Sequence, residues 1–139
     1  MIGYSGTPLH KKLGIQGGAS LYIENMPDEY PDLVSPLPEN VTFCDTLESG
    51  ARFIHIFVKS YDQLSEALPR FLTQMAPDGV VWVSWFKKSS KILTDVTEDT
   101  IREVALPIGL VDIKVCAVSE IWSGLKLVIR RENRPHFTT

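Results

Sequence analysis

The segment Ser84-Trp85-Phe86-Lys87-Lys88-Ser89-Ser90-Lys91 gathers ammonium groups and hydroxyls beside two aromatic rings. An ammonium offers charge and three donors, a serine hydroxyl both donates and accepts, and an indole supplies an apolar wall. Lys87, Lys88, Ser89, Ser84 and Trp85 are therefore candidate ligands for a phosphate or carboxylate. The same residues also read as a solvated basic loop, since lysine runs commonly keep loops wet. Charge favours this region: residues 87–139 carry 9 basic and 7 acidic side chains, against 5 and 10 in residues 1–86. Lys11 and Lys12 either join the patch or complement the dipole of a short helix near its carboxyl end.

Other chemistry has less support. His10, His55 and His136 form no H-x-x-x-H or H-E-x-x-H pattern, so no metal site is expected. His55 lies in mid-strand and reads as a hydrogen-bonded core histidine. No G-x-S-x-G elbow, P-loop or G-x-G-x-x-G occurs, and no catalytic residue is assigned. Cys44 and Cys116 stand in separate apolar runs, which argues against a disulfide framework or a zinc knuckle. Trp122 is placed at a hairpin tip, where it packs on the sheet edge, lids a pocket or faces a partner. Trp82 and Trp85 are three apart in one strand and project to opposite faces, so at least one is core.

The elements that must carry these residues alternate. Thr7-Pro8-Leu9 starts a short helix that Gly14 ends. Strands are expected over Ser20–Glu24, Val41–Cys44, Phe53–Val58, Val80–Phe86, Val111–Val118 and Leu125–Arg131, the last two joined by a short link around Trp122-Ser123-Gly124. A link that short makes an antiparallel hairpin, because a parallel crossover needs a dozen or more residues. Leu64, Ala67, Leu68, Phe71, Leu72 and Met75 recur at helical spacing after a Ser60/Gln63 capping signature, with Pro69 expected to kink or shorten that helix. Thr97 caps a second helix, which buries Ile101, Val104 and Ala105. The sum is β-α-β-β-α-β-α-β-β: an α/β, Rossmann-like three-layer sandwich with a mostly parallel sheet of about six strands and an antiparallel carboxy-terminal hairpin.

This pattern resembles the Rossmann-like sheet of the class I methyltransferases over roughly residues 17–131. In that family a glycine-rich turn after the first strand brings backbone close to the adenosyl cofactor, and an acidic residue near the end of the second strand holds the ribose. The resemblance puts Asn25 and Asp45 in those places. The turn Glu24-Asn25-Met26-Pro27-Asp28 departs from the family, with no glycine and with a proline that lacks an N–H. No cofactor is assigned, S-adenosylmethionine being the alternative. The chain also resembles a family of uncharacterised bacterial proteins, a domain of unknown function. That resemblance rests on Gly3-Tyr4-Ser5-Gly6-Thr7-Pro8-Leu9 with Lys11-Lys12-Leu13-Gly14, on Trp82-Val83-Ser84-Trp85 with Lys87-Lys88, and on Trp122-Ser123-Gly124-Leu125-Lys126. It implies a fold and transfers no activity.

At 139 residues the chain is the size of one domain, read as a helical arm (1–16), an α/β core (17–131) and a polar, frayed tail (132–139). A hydrophobic content of 44% with 22% charged residues excludes a disordered tail, and a net charge of −3 argues against a nucleic-acid coat or a polybasic membrane binder. No signal peptide or apolar run of about 20 residues is seen, so the expected setting is the cytoplasm. The expected function is a binding domain for an anionic small molecule or partner. The alternatives are a minimal S-adenosylmethionine-dependent methyltransferase and a protein–protein adaptor or homodimer built on Trp122 and an exposed sheet edge.

Overall fold

The computed structural model describes residues 6–137; Gly3, Tyr4 and Ser5 of the opening motif and the last two residues of the tail lie outside the described residues. The elements run α1 (Leu9–Leu13), β1 (Ser20–Glu24), α2 (Tyr30–Leu33), β2 (Thr42–Cys44), β3 (Ala51–Phe57), α3 (Tyr61–Leu72), β4 (Met75–Phe86), α4 (Glu98–Ala105), β5 (Leu110–Ala117) and β6 (Trp122–Ile129). They build one six-stranded sheet of order β2-β1-β3-β4-β6-β5. The first four strands are parallel, and β6 runs antiparallel to both β4 and β5. The expected α/β sandwich and its closing hairpin are both present.

Alternation along the strands feeds two cores. Ile54, Ile56, Val81, Val83, Trp85, Leu125 and Leu127 meet the apolar stripes of α3 and α4 on one face. Leu21, Ile23, Phe53, Phe57, Trp82 and Trp122 meet Leu13 of α1 and Tyr30 of α2 on the other. Trp82 and Trp85 thus point to opposite faces, and both are buried. Trp82 also donates from Nε1 to the Leu13 carbonyl at 2.9 Å, which pins the end of α1 to the sheet.

The helix starts follow local chemistry. The Ser60 hydroxyl accepts from the Gln63 amide at 3.2 Å, while Gln63 reaches back to the Lys59 amide at 2.6 Å. Thr97 and Thr100 form a reciprocal capping box at the start of α4. Pro69 does not break α3, which continues to Leu72; Met75, expected on that helix, opens β4 instead. Asp78-Gly79 is not a turn ahead of β4 but an irregularity inside it, where the pairing jumps from Ala51–Met75 to Phe53–Val80. A side chain on Gly79 would lie 2.8 Å from the Ala51 carbonyl oxygen, so the strands can approach there only around glycine.

The hairpin differs from the sequence expectation by three residues. Its link is 118–121, and Trp122, Ser123 and Gly124 belong to β6. Gly124 marks close packing rather than a turn, because a Cβ there would stand 3.0 Å from Val118 and 3.3 Å from the Trp82 ring. Ser119 makes the turn, its hydroxyl accepting from the amides of Ile121 and Trp122 at 3.2 Å each. The tail is likewise not frayed throughout: Arg131–Phe137 forms a 3-10 helix, and Arg134 Nε donates to the Ile129 carbonyl at 3.1 Å.

Candidate functional site

The carboxyl end of β4 opens into a groove of about 550 Å³ between the loop 87–97 and the first turns of α4. Trp85, Ile92, Leu93 and Val96 supply its apolar lining, and Lys87, Lys88 and Lys91 its cations. The loop is shaped by its own hydroxyls. Ser90 Oγ donates to the Lys87 carbonyl at 2.6 Å and accepts from the Ile92 amide at 3.2 Å. Thr94 Oγ1 donates to the Lys59 carbonyl at 3.0 Å, and the Asp95 carboxylate accepts from the Tyr61 amide at 2.7 Å. These bonds tie the loop across the carboxyl end of β3 and the start of α3. Lys91 is held at φ 61°, a left-handed conformation that a lysine adopts only at a cost.

The far wall is acidic, with one guanidinium standing among three carboxylates. Arg102 bonds Asp112 Oδ2 at 3.0 Å, Asp99 Oδ1 at 3.0 Å and the Glu98 carboxylate. Its hydrogen bonds to Asp112 and Glu98 hold the guanidinium well above its ordinary pKa. With Arg102 engaged by three carboxylates, the lysine ammonium groups are the cations facing the groove that make no salt bridge among the described residues.

The structure separates the residues expected at the basic patch into three places. Lys87, Lys88 and Trp85 line this groove together; Ser89 is exposed beside it and does not line it. Ser84 is fully buried and binds His55 instead. Lys11 and Lys12 lie on α1, across the sheet from α4, with Lys12 lining a separate groove of about 290 Å³ bounded by Leu33, Ser35 and Ser119. Sequence reading missed the contribution of α4: Thr97, Glu98, Asp99 and Arg102 complete the groove, and the acidic first turn with a basic residue four positions on was its visible signal.

Trp122 requires a correction. Of the three roles open to it, packing is the one observed, at the start of β6 rather than at a hairpin tip: only 4% of it is accessible, it stacks on Phe86 at 4.2 Å, and it meets Phe57 edge-on at 4.9 Å. The strand begins at Trp122 itself, which turns the indole into the core. Any partner surface on this hairpin must therefore use other residues.

A buried hydrogen-bonded line runs on the other face of the sheet, among the residues that pack with Tyr30 and Phe57. The Tyr30 hydroxyl stands 3.0 Å from His55 Nδ1, and His55 Nε2 stands 2.7 Å from Ser84 Oγ. Burial lowers the His55 pKa to about 3, so its imidazole is neutral, with one ring nitrogen donating and the other accepting. Burial also pushes the Tyr30 phenol well up. A serine beside a histidine suggests a nucleophile and its base, but all three side chains have no solvent-accessible surface, so no substrate atom can reach them in this conformation. The line satisfies polar groups inside the core, as expected for His55.

The crevice where the strand order reverses, between β1 and β3, is where an open α/β sheet takes a nucleotide-like ligand. Here Asn25 sits at φ 58° and its amide donates to the Phe57 carbonyl at 3.1 Å, so its side chain bridges the ends of the two strands. The carboxylate of Glu24 turns away to Arg70, at 2.9 and 2.6 Å, and accepts from the Tyr22 hydroxyl at 2.7 Å. Burial opposes ionisation of Glu24, but the bonds from Arg70 and Tyr22 outweigh it and hold its pKa below the ordinary carboxylate range. Asp45 is exposed just beyond β2, and neither it nor Asn25 lines the two grooves above or a third of about 490 Å³ near the start of β1 and β3. The turn after β1 carries no glycine, and the Asn25 side chain spans the gap between the ends of β1 and β3.

With this geometry, the chain is similar to solved methyltransferases. A putative type 11 methyltransferase from Sulfolobus solfataricus superposes with a TM-score of 0.54 at 11% identity, over 81% of this chain and 85% of that one. The fold is methyltransferase-like. A ribosomal protein L11 methylase from Lactobacillus delbrueckii subsp. bulgaricus gives a TM-score of 0.47 at 11% identity, over 81% of this chain and 59% of its own. No family model matches the chain, and no curated protein matches it in sequence. No helix among the described residues is long and apolar enough to cross a membrane.

Proposed function

We propose that this methyltransferase-like domain binds a small anionic molecule in the groove at the carboxyl end of β4. The observation that carries this reading is the convergence of Lys87, Lys88 and Lys91 on an open groove whose guanidinium is already neutralised by its own carboxylates. Lys87 and Lys88 anchor the anion, Lys91 closes over it from the loop, and Trp85 with Val96 backs the less polar part of the ligand. Titration with inorganic phosphate, followed by calorimetry, tests the reading. Lys87→Ala with Lys88→Ala should weaken binding at least tenfold, each lost charge-assisted bond being worth about 1.5–3 kcal/mol. Both side chains lie outside the cores, so the melting temperature should change by no more than a degree or two. Equal affinity in the variant, or a variant that unfolds, would count against the site.

A second reading is a minimal S-adenosylmethionine-dependent methyltransferase, and the observation favouring it is the fold shared with the Sulfolobus protein over most of both chains. Against it stands the Asn25 bridge in the β1–β3 crevice. A thermal scan with S-adenosylmethionine in large excess separates the two, because a ligand at about 100 times its dissociation constant adds roughly 2.7 kcal/mol of apparent stability. On the first reading the scan is unmoved. A shift of several degrees that Asp45→Asn abolishes would establish the second.

A further inference from the structure

Leu93 is 96% exposed, the most exposed large apolar side chain among the described residues, and Ile92 beside it is 41% exposed. Both line the lysine groove. A leucine standing in water forfeits the stabilisation that burial would give it, and a single exposed leucine is unremarkable on its own. Its setting is what distinguishes this one. The loop is not a loose excursion: Ser90, Thr94 and Asp95 fasten it by side-chain bonds on both sides of Leu93. The residue two positions before it, Lys91, is kept in a left-handed conformation that glycine or asparagine would adopt more cheaply. A fastened loop therefore holds two apolar side chains in solvent next to three ammonium groups, at the mouth of a groove floored by Trp85 and Val96.

We infer that the ligand of this groove is an amphiphilic anion: a phosphate or carboxylate head held by Lys87, Lys88 and Lys91, carrying an alkyl chain that covers Ile92 and Leu93. The inference rests on the anion-binding reading and adds the chain to it. Charge complementarity selects the head, since the three ammonium groups make no salt bridge among the described residues, whereas the Glu98 and Asp99 carboxylates are engaged by Arg102. The exposed apolar pair then selects an apolar extension over a compact anion such as free phosphate or a sugar phosphate, which would leave Leu93 in water. A lipid headgroup in a bilayer and a free alkyl phosphate share this chemistry.

The test is a series of inorganic, butyl, hexyl and octyl phosphate, each kept below its micelle-forming concentration and titrated by calorimetry into the wild-type chain, Leu93→Ser and Lys87→Ala with Lys88→Ala. Affinity should rise about two- to fourfold per methylene in the wild type, as expected for a chain leaving water. Leu93→Ser should flatten that rise and leave inorganic phosphate unaffected; a side chain this exposed can be changed without unfolding the domain. The double lysine variant should weaken every member of the series. If inorganic phosphate binds but chain length has no effect, or if the rise survives in Leu93→Ser, the amphiphile is wrong and the anion site stands. If no member binds, both fail. Sedimentation with vesicles of phosphatidylglycerol and phosphatidylcholine then assigns the source: retention that Leu93→Ser loses marks a bilayer lipid, and soluble binding without retention marks a free amphiphile.

Discussion

Lowering the pH from 7 to 4 should remove about 3 kcal/mol of folding stability through His55 alone. Its imidazole is fully buried, stacked on Phe57 at 4.4 Å and meeting Tyr30 edge-on at 5.2 Å, and burial lowers its pKa to about 3. In the unfolded chain the same group titrates near 6.5. Between those values the unfolded state binds a proton that the folded state refuses, so stability is intact above about pH 6.5, falls as the pH drops and levels off below about pH 3. Glu24, with its pKa held below the ordinary range, adds a loss of the same sign that begins only near the usual carboxylate range. Chemical denaturation at intervals between pH 7 and pH 4 would show the decline. His55→Gln, which keeps polar atoms between Tyr30 and Ser84, should start less stable at pH 7 and then fall much less steeply. If the two proteins lose stability in parallel, the decline does not come from His55.

The largest effect of a single truncation is expected at Trp122. Trp122→Ala empties the space between Phe86 and Phe57, and large-to-small changes of this kind cost about 3–5 kcal/mol. For a chain of this size that lowers the melting temperature by roughly 10–20 °C. The indole Nε1 has no hydrogen-bond partner, so the expected loss is packing rather than a polar bond. A thermal scan of the variant would check this directly. A melting temperature within about 3 °C of wild type would mean that Trp122 is not the core residue its burial implies, and would reopen its role as a contact for a partner. Set beside Lys87→Ala with Lys88→Ala, the pair separates what holds the fold from what binds: one variant should melt early, the other should melt normally and bind poorly.

Most of the fold was legible along the chain. Apolar runs mark the six strands, the Ser60 and Thr97 caps mark the starts of α3 and α4, and the opposite orientation of Trp82 and Trp85 follows from the period of two in a strand. The errors fell where one residue type serves two purposes. Gly124 and Asp78-Gly79 carry the sequence signal of turns, whereas both glycines lie within strands, where a Cβ would meet the Ala51 carbonyl at Gly79 and crowd the Val118 side chain at Gly124. A glycine in sequence does not say whether it supplies a left-handed turn or an absence of bulk. That ambiguity accounts for the three-residue displacement of the expected hairpin and for placing Trp122 at its tip rather than in β6.

What the sequence determined by itself is what depends on neighbours along the chain: the α/β alternation, the antiparallel closing hairpin, the helix caps, and the grouping of Lys87, Lys88 and Trp85 at the end of one strand. Only the tertiary structure decided which distant groups meet. Ser84 lies three residues before Lys87, yet one points into the sheet toward His55, 29 positions away, and the other into the groove. Arg102 reads as a cation of the basic carboxy-terminal half until Asp112 of the neighbouring strand is seen to help neutralise it. Asn25 resembles a turn residue until its amide is found on the Phe57 carbonyl. The physical reason is the same each time. Backbone hydrogen bonding and hydrophobic period act over a few residues, whereas burial and charge pairing depend on the partner that folding brings within 3 Å.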